Sequence, residues 1–230
     1  QNYNNWELIA IDNGSTDDSK KILNSFKDKR IKKIFLKKNI GRTNCLNYGL
    51  DFCEGEFVAI QDSDDIALRG RLKKQLAYFK KFKNLSFVSS NCQIIDEKNK
   101  IKKKKYMNYK NINYRDLIFK NIIAHSTVMY RKNLISKIGK YPKEFLYAQD
   151  YAFYLKVLKN YQIYISDENL LKARMHSNSE GFRLSKTKII INEQIRLLFW
   201  SLNNLNPSMK EKILLIYKYF FFELKKFFKF

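Results

Sequence analysis

Glu56-Phe57-Val58-Ala59-Ile60-Gln61-Asp62-Ser63-Asp64-Asp65 runs a short apolar segment straight into three carboxylates. The apolar part has the length and composition of a buried strand. Side chains alternate along a strand, so Asp62 and Asp64 leave its end on one side. Two carboxylates on one side suit a hard divalent cation that also grips the phosphates of a nucleotide. The competing reading is an acidic turn that caps the next helix, since Asp is common in turns. The chain as a whole carries a formal charge of +23. Three negative charges within four residues repel one another unless something positive is held there.

Working outward, strands and helices alternate. Residues 7–12 read as a buried strand ended by Asn13-Gly14. A helix capped by Ser15 or Thr16 follows, with Ile22, Leu23 and Phe26 as its apolar stripe. Strands are expected at 31–36, 57–60, 87–95 and 127–131, and strand-like pieces around 163 and 170–175. Helices are expected at 43–52, 71–81, 114–119, up to Gly139, and from Asp150 onward. The lysine-rich run 97–105 has no apolar period and reads as a solvated loop. This alternation predicts an α/β protein with a mostly parallel sheet. From Ser185 onward no strand is expected, only helices at 187–203 and from 208, separated by Asn206-Pro207.

The 230 residues suffice for one domain with a large core, and 45% hydrophobic with 29% charged residues marks a globular chain. The positive charge favours anionic partners such as nucleotides, acidic lipid surfaces or nucleic acid. Cys45, Cys53 and Cys92 are odd in number and lack metal-like spacing, which fits a reduced, cytoplasmic setting. No apolar run reaches the roughly 18 residues of a transmembrane helix.

In open α/β sheets ligands sit at the carboxyl ends of strands. Asp12 ends one expected strand and Asp62 and Asp64 end another, so both acidic sites should face one crevice. The segments Ile11-Asp12-Asn13-Gly14-Ser15-Thr16-Asp17, Asn39-Ile40-Gly41 with Asn47-Tyr48-Gly49-Leu50, and Gly55 through Asp65 resemble the family 2 glycosyltransferases. The blocks Arg71-Leu72-Lys73-Lys74-Gln75, His125 to Arg131, Ala148-Gln149-Asp150-Tyr151, and Arg174-Met175-His176 with Asn178 and Ser179 continue the resemblance. They come in the family's order over residues 1–185.

The resemblance implies a GT-A fold, Rossmann-like, with a central sheet flanked by helices. The catalytic domain would span 1–185, and 186–230 would be a basic, aromatic-rich helical extension. The strand that precedes this point in the family is missing ahead of Gln1, so the domain reads as N-terminally incomplete. Asp12 and Asn13 match the pair that contacts base and ribose, with Asn in place of the second Asp. Asp62 and Asp64 match the Asp-x-Asp motif: Asp64 would ligate Mn²⁺ or Mg²⁺ on the diphosphate, and Asp62 would lie near the ribose or donor sugar. Asp65 reads as a cap or a supporting residue. Arg71 is expected to pair either with a phosphate or with the acidic loop. Asp150 matches the catalytic base of an inverting transfer, an N-cap role being its alternative, and Gln149 stands where the family often has Glu. His176 would approach the metal or diphosphate, with Arg174 ordering its loop, while His125 reads as structural or acceptor-side.

The implied activity is a hexosyl or N-acetylhexosaminyl transfer from a nucleotide-diphosphate sugar, a UDP-sugar first. The acceptor would be a saccharide or lipid-linked saccharide of surface polysaccharide or glycolipid assembly. The 213–230 segment interleaves aromatics with lysines, which suits either a lipid interface or a packed terminal helix. Peripheral contact at the inner face of the cytoplasmic membrane is therefore expected alongside a cytoplasmic location. Two rivals remain: a non-catalytic remnant of the same fold, and a basic nucleic-acid-binding domain suggested by charge and 15% aromatics. The second predicts salt-sensitive oligonucleotide binding that survives loss of Asp62 and Asp64.

Overall fold

A computed structural model describes residues 1–105, 111–175 and 187–227. In chain order, β1 (Leu8–Asp12), α1 (Ser19–Ser25), β2 (Ile31–Phe35), α2 (Arg42–Phe52), β3 (Phe57–Ala59), β4 (Ile66–Ala67) and α3 (Arg71–Lys81) come first. β5 (Phe87–Ile95), β6 (Ile101–Lys105), β7 (Asn111–Ile112), α4 (Tyr114–Leu117), β8 (Met129–Arg131) and α5 (Asn133–Ile138) follow. The chain continues through α6 (Gln149–Asn160), β9 (Ile163–Arg174), α7 (Thr187–Asn204) and α8 (Met209–Phe227).

The sheet is mixed, where the sequence predicted mostly parallel pairing. β1 and β2 pair in parallel as a separate two-stranded sheet. The larger sheet has the order β3-β8-β5-β9-β4, with β6 on β5 and β7 on β9. Only β5/β9 is parallel within it; the other pairings are antiparallel. β5 is buried along nearly its whole length, as a strand covered on both faces must be. The small sheet is tied to the large one through Glu7, whose Oε1 accepts from the N–H groups of Glu54 (2.6 Å) and Gly55 (2.9 Å) just before β3.

Three local expectations change. The 97–105 run is not all loop: 101–105 forms β6, antiparallel to β5. An edge strand pairs through its backbone, so it needs no apolar period, and lysines there discourage further pairing. The two pieces expected at 163 and 170–175 are one strand, β9, with irregular register opposite Asn91. The polar run Asp167-Glu168-Asn169 hides that continuity, while Asn91 Nδ2 bridges to Asp167 O at 3.1 Å. Finally, α1 starts at Ser19, later than a Ser15 or Thr16 cap implies. Asp17 Oδ1 accepts from Ser19 N–H at 3.0 Å, and no residue of α1 is buried.

The core lies under α6. Tyr151, Ala152, Phe153, Tyr154, Leu155, Val157 and Leu158 are all buried, so this helix is covered on nearly every side. Each such large side chain contributes about 1.5–3 kcal/mol on burial. Leu197 of α7 and Leu205 just after it join the same cluster, so the C-terminal helices are built onto this core. Leu215 of α8 packs on Leu198 of α7 and on Ile118 at the end of α4.

Candidate active site

Asp12 is the last residue of β1 and is buried. Its carbonyl accepts from Leu36 N–H at 2.9 Å, and Oδ1 accepts from Ser15 N–H at 3.3 Å. Oδ2 is buried with no partner. An unsatisfied buried acceptor costs about 1–3 kcal/mol, so a donor arriving from a ligand stabilises this position. Gly14 follows at φ +74°, and a Cβ there would meet Lys38 C at 2.6 Å. Only glycine lets this turn press against the Lys38–Asn39 backbone. Across the contact, Asn13 Oδ1 accepts from Ile40 N–H and Asn13 Nδ2 donates to Asn39 Oδ1, both at 3.0 Å. The Asn13 amide thus fastens two turns together, and its oxygen has a second lone pair for a further donor.

Arg42 opens α2 directly after Gly41. Its Nη2 donates to both oxygens of Asp62, at 2.8 and 2.9 Å. No motif in the sequence singles out this arginine. A cation in the first turn of a helix opposes the macrodipole, and that mismatch was the available signal.

The acidic cluster is held from its other side by Arg174, at the end of β9. Pairing of β4 with Leu171 and Lys172 brings the two strands together. Arg174 N–H then donates to Asp65 Oδ1 at 2.8 Å, and its Nε to Asp64 O at 2.9 Å. The same guanidinium donates to Asp96 O and Asn99 Oδ1. Ser126 Oγ accepts from Asp62 N–H at 2.9 Å. Burial pushes the Asp65 carboxyl up, opposed by the Ser126 hydroxyl and the Arg174 N–H. Asp65 is engaged with the protein, and Asp64 is an exposed residue of the same turn.

Asp150 lies in the first turn of α6. The N-cap position is taken by Ala148, two residues ahead, so Asp150 is not the N-cap but an acceptor within the first turn. Asp150 Oδ1 accepts from Tyr151 N–H at 2.7 Å, and Oδ2 from Asn121 Nδ2 at 3.3 Å. Gln149 is buried, its amide nitrogen donating to Leu146 O and Tyr147 O in the orientation that satisfies both its ends. His125 joins the two halves of the site. Its Nδ1 bonds the Tyr154 hydroxyl at 2.9 Å, and its Nε2 is buried without a partner. Burial drives this imidazole toward its neutral form, while the nearby Asp150 and Asp62 carboxylates favour the charged form.

Arg71 is not available to a phosphate. The side chain is 2% exposed. Nε donates to Gln75 Oε1, Nη1 to Gln61 Oε1, and Nη2 to Ile60 O and Val128 O, all within 3.1 Å. Burial pushes its pKa down to about 10, so it remains a cation at neutral pH. Of the two expected roles, the contact with the acidic loop is the one made, through Gln61 and the Ile60 carbonyl. His176 lies outside the described residues.

A second residue that the sequence reading missed is Glu193, in α7. It is 0% exposed. Its carboxylate accepts from three successive backbone N–H groups ahead of α6: Leu146 (2.6 Å), Tyr147 (3.0 Å) and Ala148 (2.9 Å). A carboxylate on the same helical row as the buried Leu197 and Ser201 was the signal.

Among the described residues no group of three or more His, Cys, Asp and Glu side chains could hold a metal by itself. The donor set nonetheless fits Mg²⁺ or Mn²⁺. Such ions keep several waters and bind through one or two carboxylates plus substrate phosphates, which is what an exposed Asp64 beside Asp62 offers.

The chain matches the family model Glycosyl transferase family 2 over residues 1–139. It is 31% identical over 190 residues to an uncharacterised glycosyltransferase of Methanocaldococcus jannaschii, covering 79% of this chain and 64% of that one. It is 28% identical to the UDP-Glc:alpha-D-GlcNAc-diphosphoundecaprenol beta-1,3-glucosyltransferase WfgD of Escherichia coli, covering 84% and 71%. The O-antigen biosynthesis glycosyltransferase WbnJ of Escherichia coli is 35% identical, covering 78% and 72%. Among solved structures, S. aureus TarS 1-349 in complex with UDP superposes with a TM-score of 0.70 at 22% identity, covering 96% of this chain and 63% of that chain. A mannosyltransferase from Pyrobaculum calidifontis in complex with GDP-Man and Mn²⁺ superposes with a TM-score of 0.60 at 14% identity, covering 93% and 60%. The chain thus spans about two thirds of the length of several of the proteins it matches, and it has their GT-A fold. It belongs to glycosyl transferase family 2.

Proposed function

We propose that the protein is an inverting, metal-dependent glycosyltransferase that moves a sugar from a UDP-sugar to a saccharide or lipid-linked saccharide of surface polysaccharide assembly. The observation that carries this is the buried, unpartnered Asp12 Oδ2, at the end of β1 beside the turn that Asn13 fastens to residues 39–40, two residues before the Arg42 that holds Asp62. A ribose hydroxyl or a base N–H supplies the donor that this oxygen lacks. Asn13 and the Asn39–Gly41 turn line the nucleoside side. Asp62, held by Arg42, lies near the ribose or donor sugar, with Asp64 as metal ligand and His176 as a second one. When bound, the cation stabilises the negative charge that develops on the departing diphosphate. Asp150 takes the proton of the acceptor hydroxyl as its oxygen bonds to the anomeric carbon. The bond from that carbon to the diphosphate oxygen breaks on the opposite face, its electron pair leaving with UDP. The UDP-bound neighbour and the relative named for a UDP-Glc donor and a diphosphoundecaprenol-linked acceptor support this choice of substrates.

The test is UDP release from a panel of UDP-sugars with Mn²⁺. Turnover with at least one donor is expected, together with Mn²⁺-dependent UDP binding that Asp64→Asn abolishes. No turnover and no metal-dependent nucleotide binding across the panel would sink the reading.

Membrane contact through α8 is part of the same proposal. Leu215 packs inward, while Met209, Ile213, Tyr217, Phe220 and Leu224 on the opposite side are exposed. No helix among the described residues is long and apolar enough to cross a membrane. An exposed apolar stripe on a strongly cationic chain suits an anionic lipid surface. The protein is expected to sediment with phosphatidylglycerol vesicles and to detach in high salt, where screening is short-ranged. Equal binding to phosphatidylcholine vesicles, or full anionic binding by a Tyr217→Asp/Phe220→Asp variant, contradicts it.

A further inference from the structure

We infer that Glu193 is a positioning residue for Asp150, so that the C-terminal helix α7 sets the geometry of the transfer step. The inference rests on the assignment of Asp150 as the base. Removing a carboxylate from water costs several kcal/mol unless donors replace the lost hydration. At Glu193 the replacement is three convergent N–H groups of one turn, residues 146–148. That turn ends at Ala148, the N-cap of α6, two residues before Asp150. What the carboxylate fixes is therefore the starting point of the helix that carries the base.

The same turn is fastened from the donor side. Thr43 Oγ1 donates to Phe145 O at 2.8 Å. Asn47 brackets Tyr141, donating to its carbonyl at 2.8 Å and accepting from its N–H at 3.0 Å. Both residues belong to α2, whose first residue, Arg42, grips Asp62. On the α7 side, the Arg196 guanidinium lies 5.5 Å from the Phe145 ring centroid. Residues 141–148 thus form a bridge with the donor-side helix on one edge and α7 on the other. The bonds that Asp150 itself makes, to Asn121 and Tyr151, orient its carboxylate but do not place the helix. Placement matters because a shift of about 1 Å at a reacting group can cost on the order of 100-fold in rate.

Glu193→Gln puts an NH₂ group against N–H donors and releases the turn. The expected result is a fall in kcat of about 10- to 100-fold, with unchanged Mn²⁺-dependent UDP affinity and unchanged KM for the donor. The decisive readout is the double variant with Asp150→Asn. If Glu193 acts through the base, the double variant is no slower than Asp150→Asn alone. Thr43→Val loosens the same turn from its other edge and should behave likewise, which keeps the test open if Glu193→Gln fails to fold. Leu198→Ala, at the α7–α8 contact, is the stability control and should lower Tm without changing kcat below the melt. Losses that multiply with Asp150→Asn, or a Glu193→Gln enzyme with normal kcat beside an impaired Asp150→Asn, overturn the inference. Full turnover by Asp150→Asn instead removes the base assignment, and with it the premise, while leaving donor binding intact.

Discussion

Turnover of an Asp150→Asn enzyme is expected to fall by about 10²–10⁴-fold, the usual contribution of a positioned general base. That range corresponds to about 2.7–5.5 kcal/mol of transition-state stabilisation. The substitution is nearly isosteric. The Asn oxygen can still accept from Tyr151 N–H, so the start of α6 keeps its local hydrogen bond. What disappears is the anion that receives the acceptor's proton. The residues proposed for the donor, Asp12, Asn13, Arg42, Asp62 and Asp64, lie on other elements, so UDP affinity with Mn²⁺ should not change. Steady-state kinetics with calorimetry of UDP binding separates these effects. A normal kcat with weakened UDP binding would move Asp150 to the donor side and leave the base unassigned.

The parts of this site legible in the sequence are those written as short local patterns. An apolar run ahead of Asp-x-Asp marks the strand β3, although that strand ends at Ala59 and the two carboxylates stand in the loop after it, beyond the reach of strand alternation. The α3 boundaries, residues 71–81, follow from a stripe with an exposed opposite face. Side-chain partners across long separations were not legible. Arg42 meets Asp62 over 20 residues, Arg174 meets Asp65 over 109, and Glu193 meets Leu146 over 47. Nothing local encodes those meetings; each was marked only by a residue at odds with its surroundings. β6 and β4 were missed for a different reason. Their pairing is a backbone property of an edge and of a two-residue contact, and neither leaves an apolar period. For Arg71 the sequence leaves a phosphate and the acidic loop as equal partners, because arginine beside an acidic turn suits either, and only its burial decides the matter.

Arg71 therefore predicts a large loss of stability, with no specific defect in nucleotide binding. The guanidinium holds together the end of β3, the start of β8 and α3 through four acceptors: Ile60 O, Val128 O, Gln61 Oε1 and Gln75 Oε1. Gln75 Nε2 in turn donates to Thr127 O at 2.7 Å, and Gln61 Nε2 to the carbonyls of Asp62 and Asp65. Arg71→Met preserves the volume and deletes every donor. Each buried acceptor left bare costs about 1–3 kcal/mol, with some relief from relaxation. A net loss of about 3–5 kcal/mol is expected, a large share of the roughly 5–15 kcal/mol that keeps a domain folded. At about 2–4 °C per kcal/mol for a chain of this size, Tm should drop on the order of 10 °C. Arg71→Lys keeps the charge but cannot span the fork of acceptors, so it should recover only part of the loss. Below its melting temperature the Lys variant should still bind UDP with Mn²⁺, because the guanidinium is buried among four protein acceptors. A variant that melts with the wild type but has lost UDP affinity would return Arg71 to the phosphates. It would also require the buried geometry around Gln61 and Gln75 to open when the donor binds.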